Sequence, residues 1–303
     1  MKKKNSRTRS EARFQVIGNV IMMIVTLNAV VPLLLMLISS FTDNGSLIRN
    51  GYSFIPEKWS VEAYRYIFSS GNAVPHAYMI SVLLTIVGTA LGLAITTLLA
   101  YALSKKFLPG RNILTFVVFF TMLFNGGLVP TYINYTTVFG LKNTFGALLV
   151  PSLLMNAFNV MLMKSYFVTG VPEEILEAAY IDGANEFQVF GRIALPLAKP
   201  IVATIGLFIG IGYWNDWMNG YIYLTKRTDL YSIQNLLNRM IQNIQALIQN
   251  AGTVSNATQG LATIPSAAVR IAMAVVGVLP VVVVYPFIQN NFVKGITLGG
   301  VKG

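Results

Sequence analysis

The sequence predicts an all-α polytopic membrane protein with six transmembrane helices, and three observations carry that reading. Hydrophobic residues make up 54% of the 303 and charged residues only 11%, with a mean hydropathy of +0.62; soluble domains carry about 25% charged residues. Six apolar segments reach the roughly 20 residues of helix that a bilayer core of about 30 Å requires. Basic residues gather before and between these segments and stay out of their interiors, apart from marginal positions such as Lys164, Lys199 and Arg270.

The first element is a basic N-terminal tail, residues 1–13, carrying Lys2, Lys3, Lys4, Arg7, Arg9 and Arg13. The apolar run behind it is longer than a signal-peptide core and lacks a small-residue cleavage site, so a retained first span over 14–40 is expected. Spans follow at 77–103, 113–133, 145–168, 199–221 and 267–290, giving a transmembrane region over 14–290. An even number of spans places both termini on one side. The basic N-terminus, Lys105, Lys106 and Arg111 in the 104–112 turn, Lys164, Arg192 and Lys199 around the next inner segment, and Lys294 and Lys302 in the tail make that side cytoplasmic. Residues 42–76, 134–144 and 222–266 then lie outside. Gly88 with Gly92, and Gly206 with Gly210, have the spacing that lets helix backbones approach closely, within the chain or across a dimer interface.

Composition also excludes. The chain has no cysteine, which removes disulfides and thiolate metal sites. No Walker A sequence is present, so ATP hydrolysis by that route is not expected here. The charge of +11 reflects cytoplasmic anchoring, not nucleic-acid binding. The one histidine, His76, begins an apolar span and suits an interfacial position.

The cytoplasmic segment 169–198 breaks the pattern. Glu173, Glu174, Glu177, Asp182 and Glu186 lie within it, out of eleven acidic residues in the whole chain. Pro172 suits a first helical position, acids suit the positive end of a helix dipole, and Gly183 offers a stop. A short helix over about 172–182 is expected, with a bend and a second amphipathic piece leading to Pro196 and Pro200. Ile175, Ala178, Ala179 and Asp182 share a face at helical spacing, small and partly apolar, fit for a partner's cleft or for a solvated interface. An acid–base active site lacks support, because no histidine, nucleophile or metal-ligand set surrounds these acids. No catalytic or metal residues are therefore expected.

EAAYIDGA, residues 177–184, followed by Ile193, Leu195, Pro196 and Pro200, resembles the cytoplasmic signature of permease subunits in binding-protein-dependent ABC importers. GYWNDWMNGYIYL at 212–224 and FVKGITLGGVKG at 292–303 are similar to the carbohydrate, MalG-like branch, and MLFNGGLVPTYI at 122–133 to its LplC/YtcP polysaccharide-type subgroup. Ile296 departs from the leucine common in the tail pattern. The resemblance covers nearly the whole chain and is weakest in the N-terminal tail and across 230–265.

The resemblance implies a type I ABC importer permease fold in a bacterial cell membrane. It implies that a coupling helix carrying Glu174, Glu177, Ala178, Ala179, Asp182, Gly183 and Ala184, with Leu195 and Pro196 behind it, docks on a cytoplasmic ATPase. The tail over 291–303, with Gly295, Gly299, Gly300, Lys302 and Gly303, would reach between two ATPase subunits; on composition alone it reads as disordered. The implied partners are a second homologous permease, two ATPases that bind ATP and Mg, an extracellular solute-binding lipoprotein and an oligosaccharide; no cofactor is expected in this chain. Trp214, Asn215, Asp216, Trp217 and Tyr221 are substrate-path candidates, since an intramembrane acid is a functional candidate by default and aromatics stack on sugars. Helix capping for Asp216 and an interfacial belt for the aromatics stand beside that reading. The long outer segment 222–266 reads either as a surface for an external binding protein or as a solvated, partly helical loop. A permease for a non-sugar solute, or a non-transport membrane enzyme or scaffold, remain the rival functions.

Overall fold

The computed structural model describes residues 9–69, 71–251 and 266–300, and these residues are helical with short connections. In chain order the helices are α1 Arg9–Ser40, α2 Asn44–Asn50, α3 Glu62–Phe68, α4 Ala73–Ser104, α5 Arg111–Leu123, α6 Leu128–Ile133, α7 Gly146–Leu149 and α8 Ala157–Gly170. They continue as α9 Glu173–Ile181, α10 Glu186–Val189, α11 Leu195–Leu197, α12 Lys199–Asn215, α13 Met218–Tyr223, α14 Ile233–Ala251 and α15 Ser266–Gly300. The chain forms two compact units, one from the residues up to Gly71 with Asn243–Val276, the other from Asn72–Gln242 with the residues from Gly277 onward.

Three stretches are single helices long and apolar enough to cross a membrane: Arg13–Ser40, Ala73–Ser104 and Ala267–Pro286. The other three apolar segments are interrupted. Segment 113–133 bends by 117° between α5 and the helix that follows it. Gly127, at φ +84, supplies the left-handed residue of that break, and the Asn125 side chain accepts from its amide at 2.8 Å. Segment 145–168 is the short α7, an irregular stretch through Pro151 and Ser152, and then α8, which begins when Asn156 accepts from the amide of Asn159. Segment 199–221 divides at Asp216 into α12 and α13. Hydropathy reports burial in lipid or protein and is blind to whether the helix is continuous.

Irregular backbone at membrane depth is tolerated only when other protein groups satisfy it. The break after α7 shows how. Tyr213 donates from its hydroxyl to the Leu149 carbonyl at 2.8 Å, and Asn219 donates to the Pro151 carbonyl at 2.9 Å. The side chains that repair one broken segment come from the next.

In the second unit, α4 is the central post, packed along α12 and α8, with α5 also against α8. The glycine spacing now has a definite use. A Cβ on Gly88 would sit 2.4 Å from the Tyr213 ring, and one on Gly92 would press the Leu154 carbonyl at 3.1 Å and Ile209 at 3.3 Å. From the other side, Gly206 meets Leu93 and Gly210 meets Thr89. The two glycine pairs thus form a reciprocal close crossing of α4 and α12 inside this chain. Leu84, Leu103, Leu148, Met163 and Ile205 fill the core around it.

In the first unit, α1 leaves its apolar side chains exposed along most of its length. At its end Thr42 bridges Trp59, the Phe41 ring lies tilted by 30° against Tyr64 with centroids 4.9 Å apart, and Ser40 shares a hydrogen bond with the Tyr64 hydroxyl. Asp43 caps α2, and the Asn44 side chain accepts from the amides of Ala267 and Ala268, capping α15 from 223 residues away. The outer segment, read as a binding-protein surface or a solvated, partly helical loop, contains α14, and its Ile233 and Leu237 are buried, not solvated.

Candidate functional site

The segment between α8 and α12 is built from strong local signals. Pro172, at φ −60 and ψ 130, stands just before the first turn of α9, one position earlier than its sequence suggests. Glu173 and Glu174 occupy that first turn, where unpaired amides and the helix dipole favour negative charge. The helix ends in a Schellman arrangement. Gly183 lies at φ +80 and donates to the Tyr180 carbonyl, while Ala184 donates to the Ala179 carbonyl, both at 3.0 Å. Asn185 then opens α10 with a reciprocal capping box to Gln188. After α11 the path turns by 82° into α12, with Pro196 and Pro200 in first-turn positions that need no amide donor.

Glu174, Glu177, Ala178, Asp182, Gly183 and Pro196 are exposed, and Ala184 and Leu195 are half-buried. Ala179 is the exception: it is buried, so the expected shared face of Ile175, Ala178, Ala179 and Asp182 is divided between the protein body and the surface. With 3.6 residues per turn, a four-residue stripe is wide enough for one edge to turn inward. Two large apolar side chains that sequence reasoning passed over complete the outer surface, Ile181 at 87% exposure and Phe187 at 83%. Their signal was their place beside the polar residues that flank Gly183, Asp182 before it and Asn185, Glu186 and Gln188 after it.

Behind this surface lies a network that the sequence did not announce. Tyr180 donates to Glu186 Oε1 at 2.7 Å, and Tyr101, at the end of α4, donates to Oε2 at 3.0 Å. Lys105 donates to the Tyr180 hydroxyl at 2.8 Å, lies 3.9 Å from Glu186 Oε2, and sits over the rings of Tyr101 and Tyr180. Burial, and then the hydrogen bond to Glu186, push the Tyr180 phenol up to about 12, so it stays a neutral donor. Burial lowers the Lys105 ammonium, against the pull of Glu186 and Glu173. On the surface, Lys106 and Glu173 pair at 2.6 Å.

At the other end of α12 the substrate-path candidates separate. Trp214 is buried and donates from its indole to the Gly277 carbonyl at 3.1 Å. Asp216 Oδ1 accepts from the amides of Met218 and Asn219, which makes it a cap of α13. Asn215 is exposed. Trp217 and Tyr221 form an exposed ring pair with centroids 5.9 Å apart. Arg239, from α14, lies over the Tyr231 ring, 5.7 Å from that of Tyr221, and donates to the carbonyls of Gly220 and Leu224. A cation at the last carbonyls of α13 is favoured by the dipole. In the tail, Gly295, Gly299 and Gly300 fall within α15, and Lys302 and Gly303 lie outside the described residues.

Apolar helices, a close glycine crossing at α4 and α12, and an acidic helix left exposed between α8 and α12 give a helical membrane protein with one acidic surface segment. The chain belongs to the binding-protein-dependent transport system inner membrane component family, whose model matches residues 10–298. It is 36% identical over 274 residues to Protein LplC of Bacillus subtilis (strain 168), covering 90% of each chain. It is 38% identical to the polygalacturonan/rhamnogalacturonan transport system permease protein YtcP of the same organism, over 90% of this chain and 93% of that one. A chain from the crystal structure of a bacterial ABC transporter involved in the import of the acidic polysaccharide alginate superposes with a TM-score of 0.75. That pair is 28% identical, over 94% of this chain and 99% of the other. This protein is a permease subunit of an ABC importer.

Proposed function

We propose that the cargo is an oligosaccharide or a polysaccharide-derived glycan, and that this chain lines its path together with a second homologous permease. Two cytoplasmic ATPase subunits bind ATP and Mg and supply the energy, and an extracellular solute-binding lipoprotein delivers the glycan. Both termini face the cytoplasm, the side on which the basic residues accumulate. The observation that carries the reading is α9: an acidic helix with Glu174, Glu177 and Asp182 exposed, ended by Gly183, and continuous through α10 and α11 with α12. Helix α9 seats in an ATPase groove, with Glu177 opposite a basic residue. Closure of the ATPases draws the two permeases' coupling helices together and turns the cavity outward. Coupling of this kind requires ligand and nucleotide to favour different conformations. Among the aromatic candidates, the exposed pair Trp217 and Tyr221 is the one free to stack on a sugar ring.

The test is purification of the tagged chain from its native membrane, followed by ATPase assays in proteoliposomes. An ATPase and a second permease should co-purify, and glycan-loaded binding protein should stimulate hydrolysis that the chain alone lacks. Stimulation by an amino acid or phosphate, and not by glycans, would overturn the substrate class. Hydrolysis by the chain alone would overturn the division of labour.

A further inference from the structure

We propose that Glu186 is a positioning residue that fastens α4 to the coupling segment, so that a displacement of α9 moves α4 and α12 as one piece. The inference rests on the reading of α9 as the ATPase contact.

The covalent path from α9 runs forward through α10 and α11 into α12 and back through Val171 and Pro172 into α8. Helix α4 is remote in sequence, 85 residues from Glu186 at Tyr101 and 75 from Tyr180 at Lys105. It nevertheless packs along α8, and along α12 at the close glycine crossing, where the Tyr213 ring seats against Gly88 toward the end of α12 remote from α9. No covalent connection therefore ties the α9 segment directly to the end of α4 that lies beside it. The Glu186 carboxylate makes that tie. Both of its oxygens are engaged, one by Tyr180 in the last turn of α9 and one by Tyr101 at the end of α4. Its own backbone is fixed by the Asn185–Gln188 capping box. Lys105, with a side chain only 10% exposed, backs the arrangement with a charge that has Glu186 as its carboxylate partner. The rings of Phe167 and Phe190 wall Tyr101 at 5.5 and 4.9 Å.

Hydrogen bonds to an ionised carboxylate are stronger than neutral ones, and Glu186, its side chain 44% exposed, takes two of them beside the nearly buried Lys105. Removing the carboxylate leaves both hydroxyls without this acceptor and Lys105 without this charge partner. Glu186 and the exposed Glu177 then divide the work, one holding the segment to the bundle and the other facing the partner.

The experiment uses the assembled importer in proteoliposomes and reads solute delivered per ATP hydrolysed, with co-purification of the ATPase as the control. Glu186→Ala and Lys105→Met should each leave the ATPase bound and lower that ratio by about fivefold or more, the lower end of ordinary coupling factors. Tyr101→Phe, which removes a single hydroxyl, should lower it less and covers the case in which Glu186→Ala does not assemble. The double variant Lys105→Met with Glu186→Gln should be no worse than Lys105→Met alone, because both charges leave together. A ratio equal to wild type in assembled Glu186→Ala, or strictly additive losses in the double variant, would overturn the link. A merely structural role would lower yield and melting temperature at an unchanged ratio, which also overturns it. Failure of the docking reading has a different signature, loss of any effect from Glu177→Lys whatever Glu186 does.

Discussion

The two ends of α12 carry polar residues for opposite reasons. At the Lys199 end, the chain that leads into it keeps Glu174, Glu177 and Asp182 exposed, on a helix closed at its C-terminus by Gly183. At the Asn215 end, three side chains are engaged within the fold: Asp216 caps α13 through Oδ1, Asn219 holds the Pro151 carbonyl, and Tyr213 holds that of Leu149. Asn215 is exposed, and the buried Asp216 Oδ2 has no hydrogen-bond partner among the described residues. Acids that a helix presents to solvent are open to a partner outside the chain, whereas side chains that bond a broken segment are tied to holding it together. Charge content alone does not separate these cases; the hydrogen-bond partner of each side chain does.

The sharpest way to break that contrast is to substitute once on each side. Glu177→Lys should reduce transport about tenfold or more through loss of coupling, and leave the melting temperature unchanged because the side chain is exposed. Uptake and thermal unfolding measured on one preparation decide it, and a fall in melting temperature with intact coupling would reverse the assignment. Asn219→Ala should do the opposite. It leaves a buried carbonyl without its donor, at a cost of about 1–3 kcal/mol, so folded yield and melting temperature fall while each folded molecule transports normally.

How far the sequence reveals these roles depends on the distance over which each is set. Local signals were legible: the acids of the first turn, the glycine stop at Gly183 and the prolines in the first turns of α11 and α12 each act within a few residues. The glycine spacing in α4 and α12 was legible as close packing, though only the structure shows that the partner is the other pair in this chain. The burial of Ala179 was not, because it depends on which way α9 is turned against the bundle. The network at Glu186 was hidden as well, since Tyr101 and Lys105 look like the frayed end of a span until folding brings α9 beside them. The interruptions at Ser152 and Asp216 escaped detection for a related reason: their satisfying donors come from other segments, and hydropathy averages over them.

A finer test distinguishes shape from charge within the coupling segment itself. A Cβ at Gly183 would meet no atom within 4 Å, so nothing clashes, and the whole penalty of Gly183→Ala lies in its φ of +80. A left-handed conformation costs an L-residue roughly 1–2 kcal/mol, which should appear as faster hydrogen exchange at the amides of Gly183 and Ala184 and a partial loss of coupling. Gly183→Asn, which tolerates that region better, should recover part of both.

The smallest expected effect is at Lys106. Its bridge to Glu173 is short, at 2.6 Å, yet both side chains are largely exposed, and such pairs contribute about 0–1 kcal/mol. Lys106→Ala should therefore leave melting temperature and coupling close to wild type, while Lys105→Met, one residue earlier and buried, disturbs coupling. Adjacent lysines with equal charge but unequal burial make a direct comparison, because the substitution removes the same charge from nearly the same place. If the exposed member matters as much as the buried one, the positive charge of the α4–α5 turn acts at long range. In that case an added 0.5 M salt should abolish both effects, since it shortens the screening length to well under about 10 Å. If only the buried member matters, and salt leaves its effect in place, contact geometry is what connects α4 to the coupling segment.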